Sequence, residues 1–187
     1  MRRRRILNAK AILLILLISV FVGFVGSVLI KCVERIIYPM EYREIVTKYS
    51  EKYAVPAELV FAVIKAESGF DKNAVSHRGA IGLMQLLPKT AEWLATSHLG
   101  EISGEVLLYD PEVNVRYGVY YLQYLFSRFG SWEKAIIAYN WGEGNFRSFI
   151  DEDGYTEGDY KSIPVRETRN YVKKVMNYWE KYKNIYK

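Results

Sequence analysis

A single cysteine, Cys32, rules out any internal disulfide in this chain of 187 residues, so its stability must come from packing. With only two histidines, His77 and His98, no ligand cluster of metal-binding spacing exists, and neither a metal nor a cofactor is expected. Basic charge is also scarcer than the net +5 suggests, because Arg2, Arg3, Arg4, Arg5 and Lys10 account for all of it. The remaining 21 basic and 21 acidic residues balance and form no stripe, which excludes a binder of phosphate backbones, so no nucleic acid partner is expected. Runs of alternating strand pattern are missing, as are internal repeats, so neither a β-rich domain nor a solenoid is expected.

What is present is apolar and aromatic: half of the residues are hydrophobic and 16 are Tyr, enough to fold one core of modest size plus an appendage. From Ala11 to Ile30 the chain carries 20 consecutive uncharged residues rich in Leu, Ile, Val and Phe, about the length that crosses a bilayer. The arginine cluster precedes this run, so the positive-inside rule places the N-terminus in the cytoplasm and the remainder outside. A cleavable signal peptide shares the basic start, but its apolar region is shorter and ends in small residues, which Ser27-Val28-Leu29-Ile30-Lys31 does not supply. The expected organisation is a basic tail over residues 1–10, an uncleaved membrane anchor over 11–30, a short stalk over 31–40 and a working domain over 41–187. Cys32 has Lys31 where a lipid-acylation signal carries a small residue, and it reads as an incidental thiol.

Periodicity predicts a mainly α domain. An amphipathic helix is expected over Glu41–Tyr53, and Pro56 opens a second whose Leu59, Val60, Val63 and Ile64 recur at helical spacing. Gly69, Asn73, Ser76, Gly79 and Gly82 then punctuate a loop with room for a small hairpin. Further helices are expected from Pro88 to Thr96, from Pro111 to Phe129, from Trp132 to Trp141, and from Val165 to Tyr182 with Val172, Val175, Met176 and Trp179 as the buried stripe. Gly142, Gly144 and Asn145 read as a turn, and the acidic run Asp151–Asp159 as an exposed loop.

The chemistry centres on Glu67. It continues the stripe of Leu59, Val60, Val63 and Ile64, so its carboxyl is aimed toward the core. Burial disfavours the charged form and raises the pKa, which is the tuning a general acid needs. A helix end with a Ser68-Gly69 stop is the competing account of the same residue, and the pattern alone does not choose between them.

Three ordered blocks do choose. Ala66-Glu67-Ser68-Gly69-Phe70 with the following Gly79-Ala80-Ile81-Gly82-Leu83-Met84-Gln85, then Ala138-Tyr139-Asn140 before a Gly-rich turn, then Pro164-Val165-Arg166-Glu167-Thr168-Arg169-Asn170-Tyr171-Val172, together resemble the soluble lytic transglycosylases. That resemblance implies a goose-type lysozyme-like helical fold behind the single transmembrane helix. It also implies cleavage of the β-1,4 bond between N-acetylmuramic acid and N-acetylglucosamine in peptidoglycan, with 1,6-anhydromuramyl ends as products. Glu67 aligns with the family's sole catalytic carboxylate, acting as acid and then as base. Ser68 follows it in the motif, Ser76 matches a serine that supports the reacting sugar, and Met84 and Gln85 fall in the stretch that lines the glycan groove. Tyr139 and Asn140 align with the pair facing the acid, and Glu167 with a second motif glutamate near the site. The implied partners are glycan strands and the cell membrane.

Asp71 and Glu92 are the nearest candidates for a second carboxylate, but one sits in a loop beside Lys72 and the other points outward. A hydrolytic muramidase on the same fold and a non-catalytic glycan-binding scaffold remain the alternatives. Trp141 and Glu143 depart from the family, which places a small residue after the Tyr-Asn pair; a bulky ring there stacks on sugar or narrows a subsite. The cluster of Tyr117, Tyr120, Tyr121 and Tyr124 covers too much of its helix to be all groove, and core packing is expected for most of it.

Overall fold

The structure is a computed structural model and describes residues 9–101 and 105–186. The basic cluster Arg2–Arg5 lies outside the described residues. The chain divides into two compact units, Met1–Pro39 and Met40–Lys187.

In the first unit one helix, α1 (Ala9–Ile37), buries none of its residues and exposes Leu, Ile, Val and Phe along its whole length. Among the described residues it is the one helix long and apolar enough to cross a membrane. Its two hydroxyls are satisfied within the helix: Ser19 Oγ donates to Ile15 O at 2.9 Å and Ser27 Oγ to Phe24 O at 2.7 Å. An apolar solvent requires that of a lone polar group. The helix runs past Cys32, so most of the segment read as a stalk is helical.

The second unit is all helix and loop among its described residues. α2 (Arg43–Tyr53) and α3 (Ala57–Glu67) are joined at Ala54, whose left-handed backbone closes the first, and by Pro56, which caps the second. α3 is the central element: Leu59, Val60, Phe61, Ala62, Val63 and Ile64 are all fully buried, and each large side chain there contributes roughly 1.5–3 kcal/mol of burial. α8 (Arg166–Ile185) packs on α3 more extensively than any other pair of helices. α8 buries Tyr171, Val172, Val175 and Tyr182, of which Tyr171 bonds Glu67 and Tyr182 stacks on Phe61 with ring centroids 5.6 Å apart. Met176 and Trp179, expected in the stripe, are only partly buried, and Tyr171 and Tyr182 carry the burial instead.

Between α3 and α8 run α4 (Pro88–Leu94), a π-helical turn Ala95–Leu99, a 3₁₀ turn Glu105–Tyr109, α5 (Pro111–Phe129), α6 (Trp132–Trp141) and α7 (Glu143–Asp153). Sharp starts explain why α5 and α6 were legible. Asp110 Oδ1 accepts from the amides of Glu112 and Val113 at 2.8 and 3.0 Å, and Ser131 Oγ accepts from Lys134 N at 3.2 Å, caps that each stabilise a helix by about 1 kcal/mol.

Helix α7 corrects the expectation of a turn followed by an acidic loop. Gly142 serves as its N-cap, and Phe146, Phe149 and Ile150 fall at helical spacing, the first two buried. Their contribution outweighs the unfavourable Gly144 and the acidic run that masked the pattern. The exposed loop is therefore shifted to residues 154–165. It is pinned by Glu133, a buried carboxylate of α6 that accepts from Tyr155 OH at 2.7 Å, Gly158 N at 2.7 Å and Tyr160 OH at 2.9 Å. The small hairpin expected after Gly69 reduces to isolated bridges, Val75 with Ile81 and Ile81 with Leu86.

Candidate active site

Glu67 ends α3 at the wall of an open groove of about 310 Å³. The apolar stripe of its helix leads the side chain inward, and the stop at Ser68 lets the groove reach it. Tyr171 OH, from the first half of α8, donates to Glu67 Oε1 at 2.6 Å. Burial pushes the Glu67 carboxyl up from its ordinary 4.5 to about 7, against the opposing pull of that hydrogen bond and of the Lys174 ammonium. Lys174 itself donates to Ala66 O at 2.7 Å, fixing α8 to the end of α3. A carboxyl so poised holds its proton near neutrality and releases it readily, the property required of one group serving as acid and then base.

The loop between α3 and α4 forms one wall. Ser76 lines the groove and closes its own turn, donating its amide to Ala80 O at 2.9 Å and accepting from Ala80 N on Oγ at 3.0 Å. Gln85 also lines the groove, with a left-handed backbone at φ 49 that is unusual for a residue with a side chain. Its amide Nε2 donates to Ala74 O and Gly82 O, both at 3.0 Å, which holds this conformation in place. Behind this wall stands Asn114 of α5, fully buried: Oδ1 accepts from Met84 N at 2.8 Å, and Nδ2 donates to Ile81 O at 2.8 Å and Leu108 O at 2.9 Å. Gly82, at φ +79, has no room for a Cβ against that amide.

Tyr139, Asn140 and Trp141 from the end of α6, with Gly142 after it, also line the groove, as do Thr90 of α4 and Tyr121 of α5. Tyr139 OH donates to Met84 O at 2.7 Å, tying the two walls together. Burial, then the nearby Glu67 charge, holds the Tyr139 hydroxyl well above the usual tyrosine range, so it acts as a neutral dipole. At the rim, Arg78 and Glu167 form an exposed ion pair of 3.2 Å.

Of the residues singled out from the sequence, Glu67, Ser76, Gln85, Tyr139, Asn140 and Glu167 converge on the groove. Ser68 and Met84 are placed behind it. Ser68 Oγ donates to Leu83 O at 2.9 Å and accepts from Phe70 N at 3.1 Å, so it braces the loop. Met84 is fully buried, packed where a Cβ on Gly118 would strike its side chain, and only its backbone reaches a groove residue. Tyr171, Tyr121, Arg78 and Asn114 were missed. Tyr171 had a signal, since it lies one turn after Glu167 and beside Val172; the contact of Asn114 with a loop some 30 residues away had none. Tyr117 is buried core, as expected for most of its cluster, whereas Tyr121 faces the groove. Trp141 stands in the groove wall, while Asp71 and Glu92 are exposed and stand away from it.

Comparison with known proteins agrees with this geometry. The family described as transglycosylase SLT domain matches residues 44–161. The chain is 33% identical over 157 residues to the soluble lytic murein transglycosylase of Salmonella typhimurium, covering 79% of this chain and 24% of the relative. It is 30% identical over 169 residues to membrane-bound lytic murein transglycosylase C of Actinobacillus pleuropneumoniae, covering 78% and 46%. Its backbone resembles the crystal structure of the 70 kDa soluble lytic transglycosylase of Escherichia coli, with a TM-score of 0.72, 32% identity and coverage of 79% and 25%. An inactive mutant of lytic transglycosylase Slt from Pseudomonas aeruginosa gives a TM-score of 0.73 at 32% identity, covering 79% and 24%. The chain thus spans from about a quarter to just under half the length of these relatives. The matched segment takes in most of the second unit, including Glu67 and every other groove residue except Glu167, and the backbones agree as the sequences do: this chain belongs to the transglycosylase SLT domain family.

Proposed function

We propose that this chain is a membrane-anchored peptidoglycan lytic transglycosylase with Glu67 as its catalytic residue. The carrying observation is a carboxyl in an open groove of about 310 Å³, raised to about 7 by burial and held by Tyr171. The other glutamate of the groove, Glu167, is engaged by Arg78 at the rim. The names of the relatives, both the soluble and the membrane-bound murein transglycosylases, support the same substrate.

In this reading Glu67 donates its proton to the glycosidic oxygen as the C1–O4 bond of the muramyl residue breaks. The substrate's N-acetyl group and the neutral dipoles of Tyr139 and Asn140 stabilise the cationic sugar. The ionised Glu67 then takes the proton of the muramyl C6 hydroxyl while O6 bonds to C1. The 1,6-anhydro end leaves and the acid is restored. The nucleophile is part of the substrate, so proximity replaces a second carboxylate. Ser76 and Gln85 would contact the sugar from the loop wall, and Glu167 from the rim. α1 would hold this chemistry at the membrane, with the basic tail inside and the second unit in the envelope.

The test is digestion of purified peptidoglycan by the detergent-solubilised full chain and by Glu67→Gln, with products read by mass spectrometry. Anhydromuramyl ends from the parent and none from the variant are expected. Reducing ends would instead assign a muramidase, and glycan binding without cleavage a scaffold.

A further inference from the structure

We propose that the aromatic ridge formed by Trp93, His98 and Tyr124 is a distal sugar-binding shelf, taking saccharide units of the strand that extend beyond the groove. This rests on reading the groove as a glycan-cleaving site.

The ridge is continuous with the groove. Tyr121, which lines the groove, stacks on Tyr124 at 6.3 Å and 16° and meets Trp93 at 6.3 Å. Thr90, also in the groove wall, precedes Trp93 by one turn of α4, so both project from the same side of that helix. Beyond them three rings close on one another: Trp93 to His98 at 4.5 Å, Trp93 to Tyr124 at 5.1 Å and His98 to Tyr124 at 5.3 Å. His98 is exposed, and Trp93 and Tyr124 are half-buried, Trp93 resting part of its ring on the core.

A second feature builds the shelf. His98 is carried on the π-helical turn Ala95–Leu99, a conformation that short helices rarely adopt and that recurs at functional sites. The turn is held on its outer side by a 3.3 Å hydrogen bond between Tyr120 OH and His98 Nδ1.

The chemistry favours sugar over an apolar partner. Of the exposed aliphatic side chains of this unit, Val75 and Leu107 belong to other segments and Leu87 sits at the start of α4 in the groove wall, two turns before Trp93, so the ridge itself is aromatic. Polar handles border it instead: Tyr124 OH donates to Glu143 Oε2 at 3.1 Å, and Arg128 Nε donates to Glu143 Oε1 at 3.0 Å. A pyranose offers C–H faces to rings and hydroxyl edges to a carboxylate and guanidinium, which matches this arrangement. Glu143 follows Gly142 of the groove wall, so the position that departs from the family pattern supplies the handle.

The experiment compares the full chain in detergent with Trp93→Ala, His98→Ala and Tyr124→Ala on uncrosslinked glycan strands of two lengths, a tetrasaccharide and an octasaccharide. The shelf predicts that kcat/KM on the octasaccharide falls by about 3- to 10-fold in the variants, the scale of one lost ring contact, while the tetrasaccharide is cleaved as by the parent. Because each variant is compared with itself across lengths, partial unfolding cancels, including any loosening of the turn when His98→Ala loses its bond to Tyr120. Equal losses on both lengths, or no loss on either, overturn the shelf. A parent that cleaves neither strand overturns the proposed activity instead; the shelf is then read from binding, where a length preference of the parent lost in the variants supports it and an unchanged preference overturns it.

Discussion

Tyr171 reaches Glu67 across 104 residues of sequence to donate a 2.6 Å hydrogen bond to the carboxyl oxygen. Its helix, α8, thereby limits how far the acid's pKa rises, because burial pushes it up while this bond and the Lys174 ammonium pull it down.

The first expectation is a pH profile. With the Glu67 carboxyl near 7, the rate of glycan cleavage falls as pH rises through that value and the proton is lost. In Tyr171→Phe the ionised form loses a donor, so the falling limb moves to higher pH while the maximal rate drops about 10-fold, a typical loss for a displaced acid. A limb that stays in place would separate Tyr171 from Glu67.

Stability follows the same group with a defined sign. The folded carboxyl binds its proton more tightly than the ordinary 4.5, so stability present below that value is lost as pH rises to about 7. The full cost is about 3 kcal/mol as an upper figure. Glu67→Gln keeps an acceptor for Tyr171 and removes the charge, so its melting temperature should match the parent near pH 4 and exceed it at pH 8. Parallel curves would contradict the buried carboxyl.

Glu133 offers a test away from the groove. Glu133→Ala strands Tyr155 OH, Tyr160 OH and Gly158 N, and the lost charge-assisted bonds should cost about 2–4 kcal/mol in denaturant unfolding. The loop over residues 154–165 should become the first site of limited proteolysis.

Asn114→Ala removes one acceptor and two donors that hold the Met84 amide and the Ile81 and Leu108 carbonyls. A loss of about 2–4 kcal/mol is expected from three buried bonds, with activity reduced beyond the folded fraction because the Gln85 wall is released. Gly82→Ala should do the same, since its backbone is left-handed and its Cβ would meet the same amide.

Much of this was written in local pattern. The apolar stripe aimed Glu67 inward but left a helix end as an equal account, and the three ordered blocks around it decided between them; α5 announced itself through Asp110 and Pro111. Helix α7 could not be read because its acidic residues and Gly144 hid three apolar positions whose value depends on partners elsewhere, as Phe146 shows by packing on Phe129 at 5.1 Å. Met84 misled for the opposite reason: it lies in a groove-lining motif, yet the left-handed Gln85 after it turns the next side chain outward and leaves the methionine in the core. Tyr171 stood within a recognisable block, but its reach to Glu67, like that of Asn114 to the Met84 loop, spans a sequence separation that no window along the chain reports.

The dependence of Glu67 on α8 also carries a schedule. A chain made from its N-terminus presents the glutamate early, but neither the burial that raises its pKa nor the tyrosine that steadies it exists until Tyr171 and the packing residues up to Tyr182 have been delivered. Under the proposed reading, Glu67 is tuned as an acid only once α8 has docked, so cutting power would come with that helix and not with the glutamate itself.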